Sequence, residues 1–204
     1  MTIRKGEPWG STGPAPVGVV HISGDADLGR LVTEQRSAGA PIPPVALLGG
    51  DLMRAVGGTG RAEQLDGPVA ILPIDIVRVE TDDGTAWFVN HLVAKRSWWR
   101  GPCWLAMNGQ FIGDRDVSPR AHPNDGRVDI VRIDASMSLR DRWRASRRAV
   151  HGMHVPHPAI EIRQVSMTEI DLGAPTAVQL DGTSWREVSR LTLTVEPDAV
   201  LVVV

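Results

Sequence analysis

The apolar pattern changes its period at Pro68, and this change constrains the fold more than any other feature of the chain. Val69 to Val79 and Trp87 to Ala94 are apolar runs flanking Thr81-Asp-Asp-Gly-Thr85. Asp-Gly tolerates the positive φ angles of tight turns, so the two runs are predicted to pair as a hairpin. Further strands are expected at Cys103 to Met107, Val128 to Ile133, Ala159 to Arg163, Thr168 to Leu172, Ala177 to Leu180, Trp185 to Val195 and Ala199 to Val204. One helix interrupts them, from about Leu139 to Val150. Ser138 and Asp141 form a capping box at its start, and Leu139, Trp143, Ser146 and Val150 share one face at helical spacing. The closing run Val200-Leu-Val-Val-Val204 is an aggregation hazard unless it is paired as an inner strand.

Before Pro68 the elements alternate. Val17 to Ile22 reads as a strand ending at Ser23-Gly24-Asp25, where Asp25 or Ser23 is placed to cap a helix carrying Leu28, Leu31 and Val32 on one face. A Pro-rich linker, Gly39 to Pro44, leads to a second apolar run, Val45-Ala-Leu-Leu48, and then Gly49-Gly-Asp51. Strand, helix, strand and glycine turn are the smallest piece of a parallel α/β layer. The expected organisation is therefore a short α/β segment, 1–67, and a β-rich segment, 68–204.

At 204 residues, 42% hydrophobic and net charge −2, the chain can bury one ordinary core or two small ones. The near-neutral balance argues against a nucleic-acid binder, which would pool Lys and Arg to release phosphate counterions. Cys103 is the single cysteine, so no intrachain disulfide forms. No run approaches the roughly twenty apolar residues of a membrane-spanning helix, and the first residues lack a signal-peptide core. The expected location is cytoplasmic, with peripheral attachment to a membrane left open.

Two acidic turns carry the chemistry. Arg120-Ala-His-Pro-Asn-Asp-Gly-Arg-Val-Asp-Ile-Val131 is followed, far along the chain, by Val178-Gln-Leu-Asp-Gly182. Together with Asn108-Gly-Gln-Phe-Ile-Gly113 and Gly152-Met-His-Val-Pro-His-Pro158, this ordered set resembles the C-terminal half of the diacylglycerol kinase-like lipid kinases, over roughly residues 45 to 204. The resemblance implies a small, truncated α/β nucleotide-binding-like layer followed by a β-sandwich domain of the diacylglycerol kinase/NAD kinase type. It implies Asp181 as the catalytic base that accepts the proton of a lipid hydroxyl. It also implies a structural Mg²⁺ held by Asp125 with the main-chain carbonyls of His122 and Arg127, a donor set in keeping with a hard, partly hydrated cation. Each turn has a plainer reading. Asn-Asp-Gly is a common β-turn, and Asp-Gly between two strands is the commonest hairpin signal.

The nucleotide half departs from the family pattern. Gly49, Gly50 and Asp51 stand where such kinases cradle ATP phosphates, but Leu52-Met53 replaces the Gly-Thr that should follow. A second phosphate loop survives only as Ile71-Leu-Pro-Ile74, running straight into Asp75. Thr183 replaces the Glu that follows the Asp-Gly of the second turn. Phosphoryl transfer is almost wholly positioning and charge stabilisation, so missing loops are a severe loss. Two function classes follow: an ATP- and Mg²⁺-dependent kinase of a lipid hydroxyl with weak or degenerate activity, or a non-catalytic lipid-binding or regulatory module. A homo-oligomer that completes the site across an interface is a third arrangement.

Other features carry plainer and sharper readings side by side. Lys95-Arg-Ser-Trp-Trp-Arg-Gly-Pro-Cys-Trp104 suits a loop facing anionic lipid headgroups, or tryptophans packing a core. Arg140, Arg144, Arg147 and Arg148 extend that surface or simply solvate a helix. His151, His154 and His157 straddle a helix end, a spacing poorly matched to a converging metal site.

Overall fold

A computed structural model describes residues 9–204. The sequence-expected strand from Val17 begins only at Val20: β1 is Ser11–Gly13 and β2 is Val20–Ile22. Helix α1 (Asp25–Ser37) follows, burying Leu28 and Val32. Strand β3 (Val45–Leu47) pairs in parallel with β2, which the α1 crossover allows. A short helix that the sequence reading omitted, α2 (Asp51–Ala55), opens directly from the Gly49-Gly50 turn.

The rest is antiparallel. The long β4 (Val69–Thr81) turns back at Asp82-Asp83 into β5 (Gly84–Phe88), with Thr81 opposite Gly84. Then come β6 (His91–Lys95), β7 (Cys103–Met107), the small hairpin of β8 (Phe111–Ile112) and β9 (Arg115–Asp116), and β10 (Val128–Ile133). Helix α3 (Leu139–Ala149) is capped by Ser138, whose hydroxyl accepts the Asp141 amide at 3.2 Å. Strand β11 (Ile160–Val165) follows, and then the two longest strands, β12 (Met167–Leu180) and β13 (Thr183–Val203).

Four of the expected strands thus merge into two. Gly173, at φ 73°, lies in the register shift that bends β12, and Asp198, at φ 52°, lies in the one that bends β13. A bulge keeps pairing going on both sides of a kink, where an alternation pattern reads as two strands. The principal sheet runs β1-β4-β13-β12-β6-β7-β10-β11, with β2 and β3 joining at β13 and β5 joining at β4. The apolar C-terminal run is an inner strand. Val202 faces Leu72 of β4 on one side and Val45 of β3 on the other, so both main-chain edges are satisfied.

Four apolar clusters follow from this wrapping among the described residues, the smallest of them Ala46, Val69 and Val203. The sandwich interior gathers Val79, Phe88, Leu92, Ala106, Ile130, Leu191 and Leu193. The α/β end gathers Leu28, Val32, Val45, Leu52, Ile74 and Val202. A third cluster, Val93, Leu105, Met107 and Val131, lies on the outer face of β6, β7 and β10. Ala145, Ser146 and Ala149 of α3 and Leu105 and Val131 of the sheet line one cavity of about 410 Å³. The inward face of α3 is Arg142 and Ala149, both buried, whereas Leu139, Trp143 and Val150 are exposed.

Arg142 is 5% exposed and pairs with no carboxylate among the described residues. Its five N–H groups go to the carbonyls of Met137, Trp98, Gly101 and Asp134 and to the Cys103 sulfur. The guanidinium thereby ties the loop of residues 96–102 to the helix. Arg142→Met keeps the apolar stem but orphans four carbonyls, and a charged hydrogen bond contributes about 2 kcal/mol. We expect Arg142→Met to lose about 2–3 kcal/mol in a denaturant melt, most of the effect of the four contacts being shared rather than additive.

Candidate functional site

Asp181 and Gly182 form the two-residue turn between β12 and β13, with φ 48° and 80°. Positive φ at both positions is what such a hairpin requires, so the plain reading of this Asp-Gly holds. The turn also aims the side chain inward. One carboxylate oxygen accepts the amides of Asn90 and His91 and the other accepts that of Val89, all at 2.9 Å. The Asp181 amide returns a bond to the His91 carbonyl at 2.8 Å. The carboxylate thus terminates the sharp turn between β5 and β6, and is 6% exposed. Burial pushes its carboxyl up to about 7, against the pull of the His91, Val89 and Asn90 amides.

Helix α1 covers this carboxylate at Gly29. A β-carbon there would stand 2.6 Å from an Asp181 oxygen, so the helix can pack this close only without a side chain. A cavity of about 240 Å³ is walled by Gly29, Thr33, Trp87, Leu180 and Asp181; Asp125 is not on its wall.

The Gly49-Gly50 turn is closed by another acid. Asp25, at the start of α1, accepts the amides of Asp51 at 3.0 Å and Leu52 at 3.2 Å, capping α2 across the sheet end. Gly50, at φ 97°, could carry no side chain there, because its β-carbon would collide with the Asp25 carboxylate. The glycine pair therefore admits a carboxylate of the same chain. Asp25 is 8% exposed, and burial raises its carboxyl to about 6, helped by the charge of Asp51. Asp51 in turn accepts the Gly113 amide at 2.7 Å, and Arg54 lies 3.5 Å over the Phe111 ring, so α2 is fastened to the β8–β9 hairpin.

The other turn is organised by a residue the motif search passed over. Asp75, fully buried within β4, accepts the amides of Gly126 at 2.7 Å and Asp198 at 2.9 Å. Asp125 bonds only within its own turn, accepting the Arg127 amide at 2.9 Å, while its own amide donates to the His122 carbonyl at 3.4 Å. Burial raises the Asp125 carboxyl to about 6, and the charges of Asp129 and Asp75 add to this. As a magnesium site the donor set is thin. Both oxygens of Asp75 accept main-chain amides and one oxygen of Asp129 accepts the Ser118 hydroxyl at 2.5 Å, while Asp125 carries the carboxylate that would join the carbonyls of His122 and Arg127. Among the described residues no three His, Cys, Asp or Glu side chains converge on a metal position.

The side chains of the two acidic turns share no hydrogen bond among the described residues, and Asp125 is not on the wall of the cavity at Asp181. Asn108 links them: its amide nitrogen donates to the Val89 carbonyl at 2.7 Å and the Asp75 carbonyl at 2.9 Å. Signals for Asp75 and Asp25 were present in the sequence. One is a lone acid inside an apolar strand, and the other is an acid at a helix start beside a glycine turn.

This arrangement of a β sandwich with its acidic turns matches a known family model. Residues 85–204 match the YegS C-terminal NAD kinase beta sandwich-like domain. The chain belongs to this family. Among solved structures, a diacylglycerol kinase from Bacillus anthracis str. Sterne superposes with a TM-score of 0.65 at 12% identity, covering 90% of this chain and 74% of that one. A second structure from the same organism, described as a proposed diacylglycerol kinase, gives 0.67 at 11% identity, covering 90% and 76%. At such identities the likeness concerns the fold. No curated protein matches the chain. The β-sandwich family membership and the α/β plus all-β fold agree with the motif resemblance.

The remaining sequence candidates divide. Trp104 packs against the sandwich core beneath Arg132, whereas Trp98 and Trp99 are exposed. The three histidines lie in different settings. His151 is exposed, the His157 ring accepts the Ala159 amide, and His154 is buried on the wall of the α3 cavity. A carbonyl only accepts, so His154 Nε2, 3.1 Å from the Val117 oxygen, carries the proton; Nδ1 is then a bare, buried acceptor without a protein partner. Burial lowers this ring's pKa, keeping it neutral. No helix among the described residues is long and apolar enough to cross a membrane.

Proposed function

We propose that this chain is a non-catalytic, acyl-lipid-binding relative of the diacylglycerol kinase-like proteins. One contrast carries the reading. The cavity suited to an acyl chain is fully formed, while the groups phosphoryl transfer would need are engaged inside the fold.

On the lipid side, the cavity between α3 and the sheet has walls of Leu105, Ile112, Val131, Ile133 and Ile160, with Trp98 and Trp99 among its lining residues. Its volume, about 410 Å³, falls in the range of small-molecule pockets, which are mostly apolar with a few placed polar groups. Arg142, on the same wall, has all five N–H groups engaged and none left for an anionic head.

On the phosphate side, the α2 amides that a nucleotide would need face Asp25, and a phosphate would meet a carboxylate there. A general base must reach the proton it removes. Asp181 instead accepts three main-chain amides and lies against α1. Its structural service accounts for the Asp-Gly turn without a catalytic role.

A fluorescent fatty acid should bind the purified chain saturably. Ala149→Trp, which fills the cavity from α3, should weaken that binding by more than about tenfold while leaving the circular-dichroism melt near wild type, as expected when an apolar pocket is blocked. Equal binding by the two proteins, or no binding by either, contradicts an acyl site there.

A further inference from the structure

We propose that the loop of residues 95–101 and the outer face of α3 form a single surface that docks on an anionic lipid bilayer, placing the cavity mouth at the membrane. The claim about what then enters the cavity rests on the acyl-lipid reading above; the surface itself stands on separate observations.

The first is apolar exposure on the loop and along α3. Trp98, Trp99 and Trp143 are 44%, 49% and 50% exposed, and Met153 just past the helix is 69% exposed. Arg142 holds the Trp98 and Gly101 carbonyls, so the loop and the helix form one fixed face rather than two independent segments. Burying a tryptophan in a core would be the ordinary outcome, and Trp104 of the same segment takes it.

The second is charge. The whole chain is slightly acidic, yet α3 carries five arginines against Asp141, and no acidic residue occurs from there to Glu161. The loop adds Lys95, Arg96 and Arg100, again with no acid. Of the bordering acids, Asp141 pairs with Arg144 and Ser138, Asp134 with Arg132 and Ser136, and Asp114 with Arg115, while Asp116, beside Gly152, keeps one buried oxygen unpaired. Arg144, Arg147 and Arg148 are exposed. Cations also stand over the indoles themselves, Lys95 at 4.7 Å from Trp98 and Arg147 at 5.0 Å from Trp143. Half-exposed indoles flanked by guanidinium groups suit the headgroup level of a bilayer, where one end of the ring is apolar and the other wet. A neutral protein partner would leave these arginines without counter-charges, and an anionic bilayer supplies them.

The third is continuity. Trp98 and Trp99 belong both to the exposed face and to the cavity wall, so the apolar interior opens where the surface would meet the membrane.

Vesicle flotation tests the surface. Vesicles of phosphatidylcholine with a third phosphatidylserine should bind the chain at least about tenfold better than phosphatidylcholine alone, in line with polybasic membrane attachment. Arg144→Glu/Arg147→Glu/Arg148→Glu should abolish that preference. Trp98→Ala/Trp99→Ala should weaken binding to both vesicle types and remove quenching of tryptophan fluorescence by brominated acyl chains. The arginine variant should keep fatty-acid binding, whereas Ala149→Trp should keep vesicle binding and lose the fatty acid, so each claim can fail alone. Equal binding to both vesicle types, variants that bind like wild type, or no vesicle binding accompanied by patch-dependent self-association in sedimentation velocity would overturn the proposal.

Discussion

Asp181→Ala should lose about 4 kcal/mol of folding stability near pH 5, because three buried main-chain amides lose their acceptor together and each such orphan costs on the order of 1–3 kcal/mol. The loss falls short of the sum, since a short side chain lets some water reach the β5–β6 turn. Asp181→Asn should lose about half as much. Its carbonyl can still serve Asn90 and His91, but its NH₂ then confronts the Val89 amide, donor against donor. Urea melts with a fixed m-value would give both numbers. If Asp181 were held for catalysis alone, Asn would be nearly isosteric and the midpoint would barely move.

The gap between wild type and Asp181→Asn should shrink as pH rises from about 4 to 7. The direction follows from linkage. Burial raises the Asp181 carboxyl from 3.8 to about 7, so the folded chain keeps a proton that the unfolded chain releases. The stability tied to this proton is complete below pH 4 and is lost as pH climbs through the folded value. At about 1.4 kcal/mol per pH unit, three units set a ceiling of about 4 kcal/mol. Asp25, raised to about 6, slopes the same way. His91 opposes both, since burial lowers its pKa to about 4 and a neutral buried imidazole loses stability as pH falls below its ordinary 6.5. The wild-type curve alone therefore mixes signs. The difference between the two proteins reports Asp181 together with its repulsion of Asp25, and a gap that stays constant from pH 4 to 8 would mean that the Asp181 carboxylate is ionised throughout.

Much of the architecture is legible in local chemistry. The β4–β5 and β12–β13 hairpins announce themselves through Asp-Gly, and α3 through Ser138 and a capping acid. What local chemistry could not supply is which face of an element turns inward. The helical period of α3 groups Leu139, Trp143 and Val150, and the structure exposes all three while burying Arg142, because the loop carbonyls around Trp98 and Gly101 arrive from far along the chain to receive its N–H groups. Bulges at Gly173 and Asp198 escaped notice for a related reason, as alternation breaks there although pairing resumes.

The acidic residues divide in the same way. Motif spacing found Asp181 and Asp125, and Gly49, Gly50 and Asp51. It did not reveal that Asp25 would lie on the amides of Asp51 and Leu52, or that Asp75 would hold the turn of residues 124–126. Both are pairings of distant residues, created only when β2, β3 and β4 come together at one end of the sheet. They show that the motif residues fasten the fold, and the non-catalytic reading proposed above rests on this.

Titrating Mg-ATP into the purified chain by calorimetry tests this most directly. With Asp25 on the α2 amides and Asp181 under α1, no saturable heat should appear at any nucleotide concentration up to the low millimolar range. Saturable binding at micromolar concentrations, with phosphate then appearing on a lipid, would show that these groups are available to a nucleotide and that the chain is a kinase.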